Sequence, residues 1–346
     1  MSPRPVTVCD LPTFDTLIDV RSPAEYAEDH IPGAINCPVL DDDERRSVGT
    51  TYVQVSAFEA RKLGGAIVAR RIAQHLEDPR FLDRPKSWRP LLYCWRGGQR
   101  SGSFVAWMRM IGWDAQALQG GYKSWRRHVI AQIDALAPRL AMRVLSGPTG
   151  SAKTRVLREL ARRGEQVLDL EALAAHRGSV LGAIPGEAQP SQKAFETRLV
   201  HAMAGFDLAR PVWVESESRR IGRLALPTPL LDALRAGAVT ELRAPVEARL
   251  AHLLDDYAAL GDDRPALADK LALLAPLHAR ETIERWQAWA HAGALPALFE
   301  QLVLQHYDPL YARSQRRDSG TPAVIDTPRL DEPAIASIAA RLAAGS

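Results

Sequence analysis

The sequence predicts an α/β protein of two domains, each built on a parallel sheet. Two observations carry this. Short apolar, β-branched runs alternate with helical stretches along the chain, and each half ends one strand in a glycine-rich turn that opens a helix. A chain of 346 residues also has room for two domains of ordinary size.

The first half reads from about residue 5 to 135. TLIDV (16–20) has the composition of a strand. SPAEYAEDH follows as a helix with Ser22 as N-cap, Pro23 at the first helical position and Glu25 completing a capping box. IPGAINCPV turns on Pro-Gly and enters a short strand, and the insertion after Asp41 reads as mostly helical beyond Ser56. RPLLYC (89–94) is a buried strand, and SGSFVAWMRMIG is a helix stopped by Gly112. A further strand, a Gly-Gly turn and a last helix complete this half.

The second half, 138 to 346, restarts with the strand LAMRVLSG (140–147) and a helix running to Gly164. QVLDLEAL and RPVWVESES contain further strands. From Pro227 to Leu304 the pattern is nearly all helical, and VIDT (324–327) precedes a final amphipathic helix.

Apolar residues make up 46% of the chain and charged residues 25%, the mixture of a soluble protein with a substantial core. There is no 18-residue apolar run, and the first residues lack the apolar segment of a secretory signal, so neither a membrane span nor export is expected. Three cysteines do not make a disulfide framework. The expected location is the cytoplasm. Net charge is only +3, yet sixteen Lys and Arg stand between Arg84 and Arg163 against three acids. That excess suits a polyanion or a phosphorylated substrate.

LLYCWRGGQRSGS sets Cys94 between a buried strand and a helix N-terminus. Successive amides of Trp95, Arg96, Gly97, Gly98, Gln99 and Arg100 can curl around one anion, with Arg96 and Arg100 adding charge. Such a setting favours the thiolate, the nucleophilic form of cysteine. Cys9 and Cys37 have no such neighbours and are read as structural. VLSGPTGSAKTRVL is close to G-x-x-x-x-G-K-[ST], with Gly147, Thr149, Gly150, Ser151, Lys153 and Thr154 as candidate diphosphate-binding residues. Ala152 replaces a glycine, and Pro148 removes one amide donor. Glu215, after the strand PVWV, stands where an acid near a metal would be; no residue is assigned as a metal ligand, though the motif admits an accessory Mg2+. His176, Arg177, Glu217, Arg219 and Arg220 lie at strand ends, where α/β ligands bind, and are candidate substrate contacts. Arg126, Arg127 and His128 could face the phosphates of a polyanion, or form a solvated helix face. Trp286 and Trp289, three apart, are read as core.

IDVRSPAEYAEDHIPGAIN (18–36), the Cys94 loop and ALQGGYKSWR (117–126) together resemble the rhodanese pattern. Five residues separate Cys94 from Arg100, one more than in the usual sulfurtransferase loop, which leaves room for a larger anion than thiosulfate. The fold class is therefore a rhodanese-like parallel-sheet domain followed by a P-loop NTPase-like α/β domain with a helical C-terminal part. With DDDERRSVGT (41–50), DLEALAAHRGSVLG (169–182), PSQKAFE (190–196), VESESRRIG (214–222) and YDPLY (307–311), the whole chain resembles the tRNA 2-selenouridine synthase family. The resemblance implies a transferase acting on 2-thiouridine at the wobble position of lysine, glutamate and glutamine tRNAs. It implies geranylation from geranyl diphosphate, then replacement of the geranylated sulfur by selenium from selenophosphate. Cys94 would carry selenium as a perselenide-type intermediate, no covalently bound cofactor is needed, and a source of selenophosphate is an implied partner. The P-loop ligand, nucleotide or geranyl diphosphate, stays open at this level. So do the alternatives of a plain sulfurtransferase with an appended NTPase, a P-loop kinase and a non-catalytic interaction module.

Overall fold

The computed structural model describes residues 5–179, 181–184, 186–256, 263–315 and 322–345. The chain divides into two compact units, Met1–Gln132 and Ile133–Ser346.

The first unit holds a four-stranded parallel sheet in the order β2-β1-β3-β4: β1 Thr16–Asp19, β2 Ile35–Asn36, β3 Pro90–Tyr93 and β4 Gln116–Ala117. Central β3 is buried along its whole length, as its apolar sequence requires. Ser22, Pro23 and Glu25 start the helix Pro23–Glu28 through the anticipated capping box. The insertion departs from expectation in one respect. A helix already runs from Asp42 to Gln54 before the one at Ala57–Leu76. The β-branched run around Val48–Val53 hides it, but Asp41 and Glu44 form a reciprocal capping box that starts it. The helix Gln99–Ile111 also begins earlier than predicted, so Gln99 and Arg100 are its first residues and not loop.

The stretch IDVRS has a physical purpose. Asp19 and Arg21, both wholly buried, form an ion pair at 2.6 Å. The Arg21 guanidinium also donates to the Asp29 carbonyl at 2.6 Å and lies 3.8 Å from the centre of the Tyr122 ring. Tyr122 in turn donates its hydroxyl to the Asp29 carboxylate at 2.8 Å.

The second unit holds a five-stranded parallel sheet in the order β11-β10-β5-β7-β6, with β5 Met142–Ser146, β6 Gln166–Leu168, β7 Val212–Glu215, β10 Ala238–Arg243 and β11 Ala323–Asp326. A small antiparallel pair, β8 Arg220–Ile221 and β9 Leu224–Ala225, stands apart from it. The reading of 227–304 as nearly all helical is corrected by β10, which pairs with β5 on one side and β11 on the other. Its sequence, AVTELR, is too short and mixed to announce a strand, and pairing on both edges decides its conformation. Gly237 before it admits no side chain, since a Cβ there would stand 2.9 Å from the Met142 carbonyl. Beyond β10 the described residues are helical as expected, and 257–262 of that span lie outside the description. Trp286 is fully buried among these helices and Trp289 packs against the same cluster. Because β5 is flanked by β7 and β10, the sheet changes direction of winding there, and the carboxyl ends of β5 and β7 frame a crevice.

Replacing Arg21 by Met leaves the Asp19 carboxylate buried without its partner. We expect a loss of about 3–5 kcal/mol in the stability of the first unit, read from urea unfolding. A loss below about 1 kcal/mol would show that the pair does not hold the strand ends.

Candidate active sites: a thiol loop and a phosphate loop

Cys94 follows β3 and is nearly buried, at 4% exposure. Its Sγ accepts from the Gly98 amide at 3.2 Å and from the Ser101 hydroxyl at 3.3 Å. Burial alone would raise the thiol pKa. The Ser101 hydroxyl and amide, the Arg100 charge and the Gly98 amide together outweigh it, and the thiol lies below the ordinary cysteine value. Ser101, seven residues on and wholly buried, was not singled out from sequence; its place on the same helix turn as the loop is the signal that could have found it.

The Gly-Gly turn at 120–121 explains the ALQGGYKSWR stretch. Tyr122 N and Lys123 N donate to the carbonyls of Cys94 and Trp95 at 2.8 and 3.0 Å. Gly121 has φ +57°, and a Cβ on it would collide with the Cys94 carbonyl. Gly97, at φ +66°, faces the same turn, and its Cβ would lie 2.6 Å from the Leu118 carbonyl. The loop is thus fixed by backbone pressed on backbone.

Arg100 is only partly what the sequence suggested. Its guanidinium is held by Glu25 at 2.7 Å, so it acts on the thiolate through its field while committed to that carboxylate. Among the described residues Arg96 makes no ion pair, and its exposed side chain is the loop cation left to meet an incoming anion. Arg126 is drawn 3.6 Å from buried Asp29 and His128 packs against Trp125, which leaves exposed Arg127 as the residue of that trio open to phosphate. Cys37 is buried in the core, which pushes its thiol up to about 12 and makes it inert, as read from sequence; Cys9, given the same structural reading, is instead exposed at the surface.

In the second unit the turn after β5 leads into the helix Lys153–Arg162. Ala152 takes φ +61°, the left-handed conformation for which glycine is the usual choice. The Lys153 ammonium spans the loop mouth, 3.0 Å from the Gly147 carbonyl and 3.4 Å from Glu215. Thr154 donates to Glu215 at 3.0 Å or Glu171 at 3.2 Å. Ser151 differs from its expected role: its amide closes on the Pro148 carbonyl at 3.2 Å, and its hydroxyl is buried beneath the loop. The loop is braced by Arg249, which donates to the Thr149 carbonyl at 3.0 Å and pairs in two-pronged fashion with Asp308 at 2.7 and 3.1 Å. Asp308 belongs to YDPLY, so that stretch buttresses the loop.

A cleft of about 1470 Å³ opens over this turn. Arg177, Glu217 and Arg219 line it as expected, together with Gly147, Thr149, Gly150, Lys153, Thr154 and Glu215. His176 and Arg220 do not. His176 is buried, accepting from the Gly178 amide at 3.1 Å to hold its own turn, and Arg220 is exposed on β8. Glu171, not singled out before, joins Glu215 and Glu217 in a cluster whose carboxylate oxygens lie within 4.8 Å of one another. Burial, then the charges of acidic neighbours, holds Glu171 and Glu217 well above the usual carboxylate range, which favours the protonated form of these two. These three and Thr154 are the residues that could hold a divalent cation.

A thiol loop on one parallel sheet and a phosphate loop on another define a rhodanese-like unit joined to a P-loop unit. The rhodanese-like domain model matches residues 9–128, and the model of the tRNA 2-selenouridine synthase AAA domain matches 140–270. Similar curated proteins, each named tRNA 2-selenouridine synthase, come from Nitrosomonas europaea (39% identical over 249 residues, 70% of this chain and 63% of that one) and Nitrosomonas eutropha (37% over 257 residues, 71% and 64%). A third, from Alcanivorax borkumensis, is 33% identical over 348 residues, 88% of this chain and 91% of the relative. The chain spans slightly less than two thirds of the length of the two Nitrosomonas relatives and nearly all of the Alcanivorax one. The chain belongs to the tRNA 2-selenouridine synthase family.

Two outcomes follow from the site geometry. Ser101→Ala removes a donor to the thiolate, so the pH midpoint of Cys94 alkylation by iodoacetamide, followed on its peptide by mass spectrometry, should move up by about one unit or more. An unmoved midpoint would exclude the hydroxyl from this role. Glu171 has a raised folded pKa against an ordinary 4.5, so the native state keeps a proton that the unfolded chain loses. Stability is full below about that ordinary value and falls as pH rises toward the folded one. Glu171→Gln should flatten this fall in melting temperature between pH 5 and 8, roughly the span of the shift; an unaltered slope would show that the proton lies elsewhere.

Proposed function

We propose that this chain is a two-centre transferase that replaces the sulfur of wobble 2-thiouridine by selenium in lysine, glutamate and glutamine tRNAs. In the first reaction the thio sulfur attacks C1 of geranyl diphosphate held in the phosphate-loop cleft. The carbon–oxygen bond breaks and diphosphate leaves with its electron pair. In the second, the Cys94 thiolate takes the phosphoryl group of selenophosphate as the phosphorus–selenium bond breaks toward selenium. The freed selenide adds to C2 of the base, and water later clears phosphate from the sulfur. A perselenide, which selenide-level selenium forms only with an oxidant, is not required. The geranyl thiol then leaves with the carbon–sulfur electron pair, which alkylation has made a better leaving group.

The observation that carries the reading is the Cys94 Sγ, hydrogen-bonded by Gly98 and Ser101 and held below the ordinary thiol pKa. A nucleophile in an anion-sized loop is what group transfer from a selenophosphate dianion needs. The cleft supports the other half. Its volume, about 1470 Å³, exceeds the roughly 300–1,000 Å³ of common small-molecule sites. It combines the cationic Lys153, Arg177 and Arg219 with the apolar Leu231, Leu234 and Leu310, a lining suited to a diphosphate carrying a hydrocarbon tail beside a nucleotide. The chain's similarity to proteins named tRNA 2-selenouridine synthase supports the tRNA substrate.

The test is nucleoside analysis of tRNA from cells lacking the gene and supplied with variants. The intact chain should restore 2-selenouridine. Cys94→Ser should restore none, while still producing the geranylated nucleoside; Lys153→Ala should produce neither. Full 2-selenouridine with Cys94→Ser would overturn the reading.

A further inference from the structure

The segment beyond β10 brings His306, backed by His278, to the phosphate-loop cleft. Between Leu302 and Asp308 the backbone winds as a π-turn, Val303–Tyr307. Such turns are rare and concentrate at functional sites. This one has two consequences. Asp308, directly after it, takes the Arg249 guanidinium that braces the Thr149 carbonyl. Within it, His306 and Tyr307 line the cleft.

His306 is 3% exposed, and its Nδ1 lies 3.0 Å from Nε2 of His278. His278 is set edge-on against the buried Trp286, with ring centres 4.8 Å apart. Nδ1 of His306 is therefore committed, and Nε2 is the ring nitrogen left for a ligand. Burial, with His278 beside it, holds His306 below the ordinary histidine pKa, so the ring is neutral at pH 7. When His278 donates to Nδ1, the His306 proton stands on Nε2. Two polar rings are a costly way to fill space among Leu and Trp side chains, which aliphatic residues would fill without desolvation.

We infer that His306, oriented by His278, donates a hydrogen bond from Nε2 to the anionic diphosphate end of the ligand in the phosphate-loop cleft. The inference rests on the reading of that cleft as a diphosphate-ester site. No proton is transferred: it stays on Nε2 and offsets the charge that gathers on the diphosphate as the carbon–oxygen bond breaks.

The experiment is calorimetric titration of the intact chain with inorganic diphosphate. Glutamine places an amide nitrogen near the position of Nε2, and asparagine places one near Nδ1. His306→Gln should bind within about threefold of wild type. His306→Asn and His306→Leu should bind roughly tenfold to a hundredfold more weakly, the range for losing one hydrogen bond to a charged group. His278→Leu, which frees the ring to turn, should weaken binding in the same direction. Wild-type affinity in His306→Asn, or equal losses in the Gln and Asn variants, would overturn the inference while Lys153→Ala still abolished binding. No binding of diphosphate by the intact chain would overturn the cleft reading, and the inference with it. Should the asparagine variant misfold, imidazole nitrogen NMR of the unaltered protein decides: diphosphate must shift the His306 Nε2 signal, and an unmoved signal rejects the contact.

Discussion

The buried guanidinium of Arg21 is the contact on which the thiol site depends. It binds the carboxylate of Asp19 at the end of β1 and the carbonyl of Asp29, and it underlies the Tyr122 ring. Tyr122 gives its hydroxyl to Asp29 and its amide to the Cys94 carbonyl. One cation thus ties the end of β1 to the turn after the first helix and to the distant Tyr122 and, through Tyr122, sets the height of the loop that carries the nucleophile. A buried charge has few tolerable positions, because its alternatives leave it unpaired at low dielectric. That intolerance is what makes the arrangement specific.

The second unit solves its own problem with the same residue type. A phosphate loop is mostly backbone and has little side-chain packing to fix it. Arg249 supplies the missing constraint by holding the Thr149 carbonyl and being held by Asp308. Gly150 is pressed by the helix Val246–Asp256 that carries Arg249, where a Cβ would stand 2.9 Å from Leu253. Lys153 and Thr154 then point toward carboxylates, so positive charge, hydroxyl and acid stand together at the carboxyl ends of β5 and β7. Anion binding at the loop would take Lys153 from Glu215 and remove a charge that lowers the Glu171 pKa.

Much of this could be read from residue order. The strand ending in Cys94, the capped helix after Ser22, the glycine pairs and the Lys-Thr of the phosphate loop are local patterns, since the residues that cause them are neighbours in sequence. What escaped reading depends on partners distant in the chain. β10 is a strand because β5 and β11 lie on either side of it. Arg249 and Asp308 gain their meaning from a carbonyl about a hundred residues earlier. Glu171 joins the acidic cluster only after a helix brings it back to β7, and the π-turn that delivers His306 has no sequence signature. Arg100 and Ser151 show the reverse: their types suit anion binding, and partners that residue order does not reveal hold them as well, Glu25 on the Arg100 guanidinium and the Pro148 carbonyl on the Ser151 amide.

The three thiols of the chain lie in three different environments. Cys37 is sealed in the core, Cys94 is primed under two donors, and Cys9 sits in open water on a short 3-10 turn. An electrophile or oxidant therefore meets two competing targets, one reached by access and the other by intrinsic reactivity. Stored in air, the protein would form intermolecular crosslinks through exposed Cys9, read as dimers on a non-reducing gel. A Cys9→Ser background is the natural starting material for any covalent probe aimed at the loop.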